Sequence, residues 1–294
     1  MAFDDWYLTD DLTDYLARAG GFLRSRPDRH TVHLTVTENL RTRGGRLYGG
    51  AAPEFGVLEE DGAVRAAFFR TPPHPLVVTS LTEGQADGLA RRLAAAGRTP
   101  GGVNADRDTA AALAAAWQRH TGTPSSLHER LRLYRLGELT APQPVPPGRA
   151  RAAGAADRAL MARWYAEFCA EVGEPAGRDP GEWADDRVER GDLLFWETPD
   201  GTPVSMAGTS PRVAGQIRVV AVYTPAELRG RGYAGAVTTE ASRAARSSGA
   251  DEVLLFTDLA NPTSNALYQR IGYRPVSDFA VHLFTDRRDR SVPG

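Results

Sequence analysis

Apolar and polar residues alternate along this chain in two rhythms, a short one of strands and a longer one of helices. Residues 8–40 read as two helices separated by Arg26-Pro27. Three strand-like runs follow, Glu54-Phe-Gly-Val-Leu-Glu, Ala63-Val-Arg-Ala-Ala-Phe-Phe and Pro75-Leu-Val-Val-Thr-Ser, broken by Asp61-Gly62 and by Pro72-Pro73. A helix from about Glu83 to Ala96, a short strand near Gly102-Val103, an alanine-rich helix from about Asp106 to His120 and a strand over Leu131–Leu136 close this half.

Ala-Pro-Gln-Pro-Val-Pro-Pro then sits inside Gly137–Gly148, a composition that suits a stiff linker. It divides the chain into an expected first domain over 1–138, a linker over 139–148 and a second domain over 149–294. In the second, Arg149–Ala152 suggests a strand, while Asp157–Val172 and Arg178–Arg190 suggest helices. Strands over Asp192–Glu197 and Val204–Thr209 are turned by Asp200-Gly201, and a strand over Phe279–Phe284 precedes a charged tail.

The chemistry concentrates between Gln216 and Ala245. Ile217–Tyr223 is a β-branched, apolar run that reads as a strand buried on both faces. Thr224-Pro225 stops it, because proline cannot extend a ladder. Arg229-Gly-Arg-Gly-Tyr-Ala234 follows, and then Ala234, Val237, Ala241, Ala244 and Ala245 mark one face of a helix. The first turn of a helix leaves N–H groups without partners at the positive end of its dipole, so this order can hold a phosphate. Gly230 and Gly232 let an anion approach the backbone, and Arg229 and Arg231 add charge.

A second constellation lies downstream. Leu254–Thr257 is another apolar strand, followed by Asn261 as a helix N-cap, Pro262 at the first helical position and Gly272 at the end. Asn261, Asn265 and Tyr268 fall at i, i+4 and i+7 on one helical face.

Together these residues resemble the GNAT (GCN5-related) N-acetyltransferases. Arg229-x-x-Gly232-x-Ala234 after a strand fits that family's acetyl-coenzyme A loop, Q/R-x-x-G-x-G/A, and Asn261 to Tyr268 with the closing Leu-Tyr-x-x-x-Gly-Tyr resembles its cofactor-flanking helix. Arg46-x-x-Gly49-x-Ala51, Gln85-x-x-Gly88-x-Ala90 and Arg151-x-x-Gly154-x-Ala156 repeat the letters without the strand, the helix and the second motif. The resemblance implies an α/β (α+β) fold of two tandem GNAT-like domains, each a mixed, mostly antiparallel twisted sheet flanked by helices. It implies acetyl-coenzyme A held by Arg229, Gly230, Arg231, Gly232, Tyr233, Ala234 and Asn261, and by backbone N–H groups of Val220, Ala221 and Val222 where the strand bulges. Tyr268 is the implied general acid. The first half matches the element order but not the chemistry: Glu83 and Asp87 would repel a pyrophosphate, and Gln85 falls inside a helix. It is expected to be a degenerate copy without a cofactor site.

Composition narrows the picture further. The 294 residues and 41% hydrophobic content suit two packed domains, and a net charge of −2 disfavours nucleic acid or an anionic membrane as the main partner. No apolar run reaches a membrane span, no signal peptide is visible, and a single cysteine, Cys169, fits a cytoplasmic protein with a buried structural thiol. The histidines are scattered, with His30 and His33 as an incomplete pair, so no metal is expected. No G-x-S-x-G elbow supports a hydrolase.

The expected activity is transfer of an acetyl group to a primary amine of a small molecule by direct attack, by a monomer or homodimer. A protein N-terminus or lysine as acceptor, and a non-catalytic acyl-coenzyme A-binding regulatory module, are the alternatives. For the base, Glu171, Asp258 and Tyr223 are candidates.

Overall fold

The computed structural model describes residues 6–44, 48, 51–173 and 178–285. The chain forms two compact units, one of Met1–Arg132, Asp258–Ala260 and Ser277–Gly294, the other of Leu133–Thr257 and Asn261–Val276.

The first unit runs β1 (Trp6–Thr9), α1 (Leu12–Arg24), α2 (Thr31–Arg43), β2 (Glu54–Glu60), β3 (Ala63–Arg70), β4 (Leu76–Val78), α3 (Glu83–Ala95), β5 (Gly102–Asp106) and α4 (Arg107–Thr121), with β6 (Ser125–Leu136) starting within it. Strands β1 to β4 pair antiparallel in sequence order, and β4 lies parallel to β5. The next strand comes from the far end of the chain: Phe279–Leu283 of β12 (Tyr273–Phe284) pairs antiparallel with Asp106–Gly102. Asp11 and Asp106 cap α1 and α4 by accepting from the N–H groups of Thr13 and Thr109, at 2.7 and 3.1 Å. Leu58, Phe68, Leu76, Leu89, Leu93, Val103 and Trp117 form the core, together with Ala280 of β12. Full burial of each leucine contributes roughly 1.5–3 kcal/mol.

The second unit repeats the plan: β7 (Arg149–Ala152), α5 (Arg158–Val172), α6 (Pro180–Arg190), β8 (Leu193–Glu197), β9 (Pro203–Thr209), β10 (Gln216–Tyr223), α7 (Tyr233–Ser247), β11 (Glu252–Asp258) and α8 (Pro262–Arg270). Strands β7 to β10 pair antiparallel and β10 lies parallel to β11. Beyond β11 stands β6, of which Leu133–Leu136 belong to this unit. Tyr134 and Leu136 of β6 share a core with Ile217, Val219, Val237, Leu255, Tyr268 and Tyr273. The mixed, mostly antiparallel α+β architecture is therefore the one expected, and its element order occurs twice.

Some boundaries differ. β1 escaped notice because it is four residues long and only Trp6 is buried. β6 begins at Ser125 because its first half is largely exposed and lacks an apolar pattern. The division at 138 and 149 also differs from the compact units. Leu133–Leu136 and the entire 139–148 segment lie in the second unit, and Ser277 onward lies in the first. Prolines exclude regular ladders, which is what the composition reported, but they do not prevent packing. Arg46 and Gly49 of one repeated motif, and residues 286–294 of the tail, lie outside the described residues.

A fragment beginning at Arg149 would lack Tyr134, whose hydroxyl bonds to Asn265 and Gln269 at 2.8 and 3.1 Å, and would keep β12 residues that belong elsewhere. Residues 149–294 expressed alone should be insoluble or lack a cooperative melt, and circular dichroism on heating would show it; a sharp transition would contradict the assignment of β6 to this core.

Candidate active site

Strand β10 holds two partners at first and then loses one. Gln216, Ile217 and Arg218 face Glu252, Val253 and Leu254 of β11, and no parallel register continues beyond them. On its other side, Val220 faces Gly208 and Tyr223 faces Met206, so Ala221 and Val222 stand against the single residue Ala207. That is a β-bulge, and it sits where the parallel pair ends. Ala221 takes φ +50°, a left-handed conformation that costs a residue with a Cβ about 1–2 kcal/mol. Strain of this kind gathers at functional sites, and the expected bulge at Val220–Val222 is present.

The chain then turns through Thr224-Pro225 and a short 3-10 turn over Ala226–Leu228 into the glycine loop. Gly230 and Gly232 adopt φ +75° and +84°, and no atom lies near the position of a Cβ on Gly230, so conformation alone demands glycine there. Gly232 is the N-cap of α7. It offers no side-chain cap, and the first turn holds no acidic residue. The first intrahelical bond is Ala236 N–H to Gly232 O at 3.1 Å, which leaves the N–H groups of Tyr233, Ala234 and Gly235 without helical partners. Gly230, Arg231 and Gly232 are exposed, so an anion can reach them.

Side chains secure this turn from beneath. Ser205 on β9 lies 3.0 Å from Tyr223 O and 2.8 Å from Thr224 Oγ1. Arg229 donates through Nε to Thr224 O at 2.9 Å and pairs with Glu171 of α5. Its guanidinium is thus committed to the protein and orders the loop, while Arg231 reaches only Glu227 O, at 3.2 Å. Tyr223 donates its hydroxyl to Glu167 Oε2 at 2.9 Å, and burial together with that bond pushes the phenol up to about 12. Tyr223 therefore keeps its proton and is a donor, not a base.

On α8, Asn261 caps the helix, accepting from Ser264 N–H at 3.0 Å, and Pro262 occupies the first position. Asn265 donates to Asn261 O at 2.8 Å and accepts from Tyr134 at 2.8 Å. The amide oxygens of both asparagines are thus engaged within the protein. Tyr268 is 7% exposed and packs edge-on to Tyr273, with ring centroids 6.1 Å apart. Burial pushes its hydroxyl up to about 12, so it carries its proton at neutral pH. Asp258 accepts from Ala260 N–H at 2.8 Å. Cys169 is buried. Among the described residues no cluster of metal-ligating side chains occurs, and no helix is long and apolar enough to cross a membrane.

The corresponding helix start in the first unit is built the other way. Thr82 and Gln85 form a capping box around α3, with Thr82 N–H to Gln85 Oε1 at 3.0 Å and Gln85 N–H to Thr82 Oγ1 at 3.3 Å. Glu83 occupies the first turn. Leu81 N–H is taken by Thr109 Oγ1 at 2.8 Å. The N–H groups of Leu81, Thr82 and Gln85 are thus taken by side chains.

Sequence reasoning missed Glu167 and Ser205. Glu167 stands one helical turn before Glu171, an i, i+4 relation that puts both carboxylates on one face and could have drawn attention to it. Ser205 carried no signal.

A bulged strand parts from a parallel neighbour and leads through glycines to an uncapped helix. Residues 158–273, which contain these elements, match the acetyltransferase (GNAT) family. A GNAT-family acetyltransferase from Colwellia psychrerythraea is 11% identical, with a TM-score of 0.61 over 96% of this chain and 100% of that one. A GCN5-related N-acetyltransferase from Sphaerobacter thermophilus is 18% identical, with a TM-score of 0.62 over 95% of each chain. Another from Kribbella flavida is 16% identical, with a TM-score of 0.54 over 78% of this chain and 90% of that one. At such identities the likeness is one of fold, and the broader alignments take in both units. Among curated proteins none matches the sequence.

The raised tyrosines give a stability test. A phenol whose folded value lies above its unfolded value of about 10 favours the folded state fully below pH 10, and that contribution is lost as pH rises toward 12. Denaturant unfolding should show stability falling between about pH 10 and 12, by about 2–3 kcal/mol for Tyr268 at most. Tyr268→Phe should flatten the fall, and an unchanged slope would mean that Tyr268 ionises freely.

Proposed function

We propose that this protein transfers the acetyl group of acetyl-coenzyme A to a primary amine of a small molecule, by direct attack of the amine on the thioester. The observation that carries the reading is the uncapped start of α7 at Gly232, exposed and free of acidic residues, beside the opened edge of β10. Tyr233, Ala234 and Gly235 offer backbone donors to the pyrophosphate, and the bulge at Ala221 and Val222 offers its amides to the pantetheine arm and the thioester oxygen. Bound acetyl-coenzyme A supplies the activated acetyl group.

In the transfer the amine nitrogen forms the new bond to the carbonyl carbon, the carbon–sulfur bond breaks, and the sulfur leaves. Tyr268, protonated at neutral pH, gives its proton to that sulfur. The amine must lose a proton as well. Glu171 is neutralised by Arg229, and Tyr223 is a donor. Glu167 of α5, which accepts from Tyr223 at the end of the bulged strand and whose ion pair with Arg163 is a long one at 3.8 Å, is the carboxylate we assign to receive the proton, directly or through water. The first unit is read as lacking a second cofactor site, because the capping box on α3 takes Gln85 N–H and Glu83 sets a negative charge at the same helix start.

Calorimetry should find one acetyl-coenzyme A per chain, with Gly232→Asp abolishing binding and leaving the fold intact; two sites, or undiminished affinity in the variant, would refute the placement. Tyr268→Phe should lower kcat by roughly 10²-fold, the scale of general acid catalysis, with affinity for the donor kept. The deficit should shrink with a donor whose thiol is more acidic. Normal turnover with weakened donor binding would make Tyr268 a packing residue.

A further inference from the structure

The proline-rich segment is not slack. Gly137 N–H bonds to Gly272 O at 2.9 Å and Thr140 N–H to Ile271 O at 3.1 Å, while at the far end Pro147 O accepts from Trp196 Nε1 at 3.3 Å. Between these fastenings the segment passes the start of α7. Pro146 is buried, whereas Gln143, Pro144, Val145 and Pro147 around it are exposed. A Cβ placed on Gly232 would lie 3.7 Å from Pro146 Cγ and Cδ, and one on Gly235 would lie 3.8 Å from Pro142 Cβ and 3.0 Å from Leu267 Cδ1. Two prolines thus back the two glycines of the helix start.

The contact answers a physical problem. A turn with glycine at 230 and 232 has many conformations open to it, and only a few aim the N–H groups of Tyr233, Ala234 and Gly235 at one point. A capping side chain would order the turn, as Thr82 does for α3, but it would consume the donors that an anion needs. A proline ring presents only C–H surface and brings no N–H of its own, so it restrains the turn without competing for it.

Resting on the proposed binding of acetyl-coenzyme A, we infer that Pro142 and Pro146 are positioning residues that hold the glycine turn in its anion-accepting conformation. They stand beside the turn and the first turn of α7 and act on the ligand through them.

The test compares wild type with Pro146→Gly and Pro142→Gly, using acetyl-coenzyme A as the probe. Calorimetry should show Kd raised about tenfold, the scale of re-ordering one or two backbone residues on binding. Without ligand, hydrogen exchange should quicken at the amides of Tyr233–Ala236 while the rest of α7 and the melting temperature hold. Val145→Ala, at an exposed position between the prolines, should leave both readouts unchanged. An unaltered or tighter Kd in the proline variants overturns the inference, and so does a lowered melting temperature with unaltered Kd, which marks a merely structural contact. If a glycine variant fails to fold, Pro146→Ala is judged by the same Kd and exchange criteria. Absence of binding to wild type would instead overturn the proposed donor, and this inference with it.

Discussion

Everything at the site follows from the point at which β10 and β11 stop pairing. Parallel strands are normally buried in a continuous ladder, so a pair that ends after Arg218 and Leu254 leaves main-chain donors and acceptors with no neighbour. The bulge on the β9 side turns the same stretch further out of register at Ala221 and Val222. Left dry, these groups would be costly. Ser205, Thr224, Arg229 and Glu171 fix the chain directly after the opening, so the glycine turn begins from a constrained point.

The two units show one architecture carrying opposite solutions at a helix start. In α3 a threonine and a glutamine cap the end of the helix, which favours stability, and Glu83 adds a negative charge there. In α7 a glycine provides no side-chain cap, which costs roughly a few tenths of a kcal/mol against a capping side chain and keeps the dipole available.

Much of this was legible in the residues. Apolar runs and Gly or Pro punctuation located most elements, because those signals are local: Asn261-Pro262 announces α8, and Gly230 and Gly232 announce the turn before α7. What was not legible is non-local. Tyr134 is an ordinary strand tyrosine until Asn265 and Gln269 meet it in space. Glu167 becomes interesting only when Tyr223 arrives opposite. Arg229 carries the expected motif letter, yet its charge is spent on Glu171. The proline-rich stretch misled for the same reason, since composition describes what backbone geometry a segment can take and is silent on what it touches.

The placement of β12 bears on the order of assembly. Phe279–Leu283 lies beside β5, and Ala280 is part of the first core, although these residues follow the second unit in the chain. During synthesis the first unit therefore stays open along β5 until the second unit has been made. The usual sequence, in which the leading domain folds while the trailing one is still being made, is denied to it. Its contacts join residues far apart in the chain, a topology associated with slow closure, so completion of this first unit waits on the strand that follows the second.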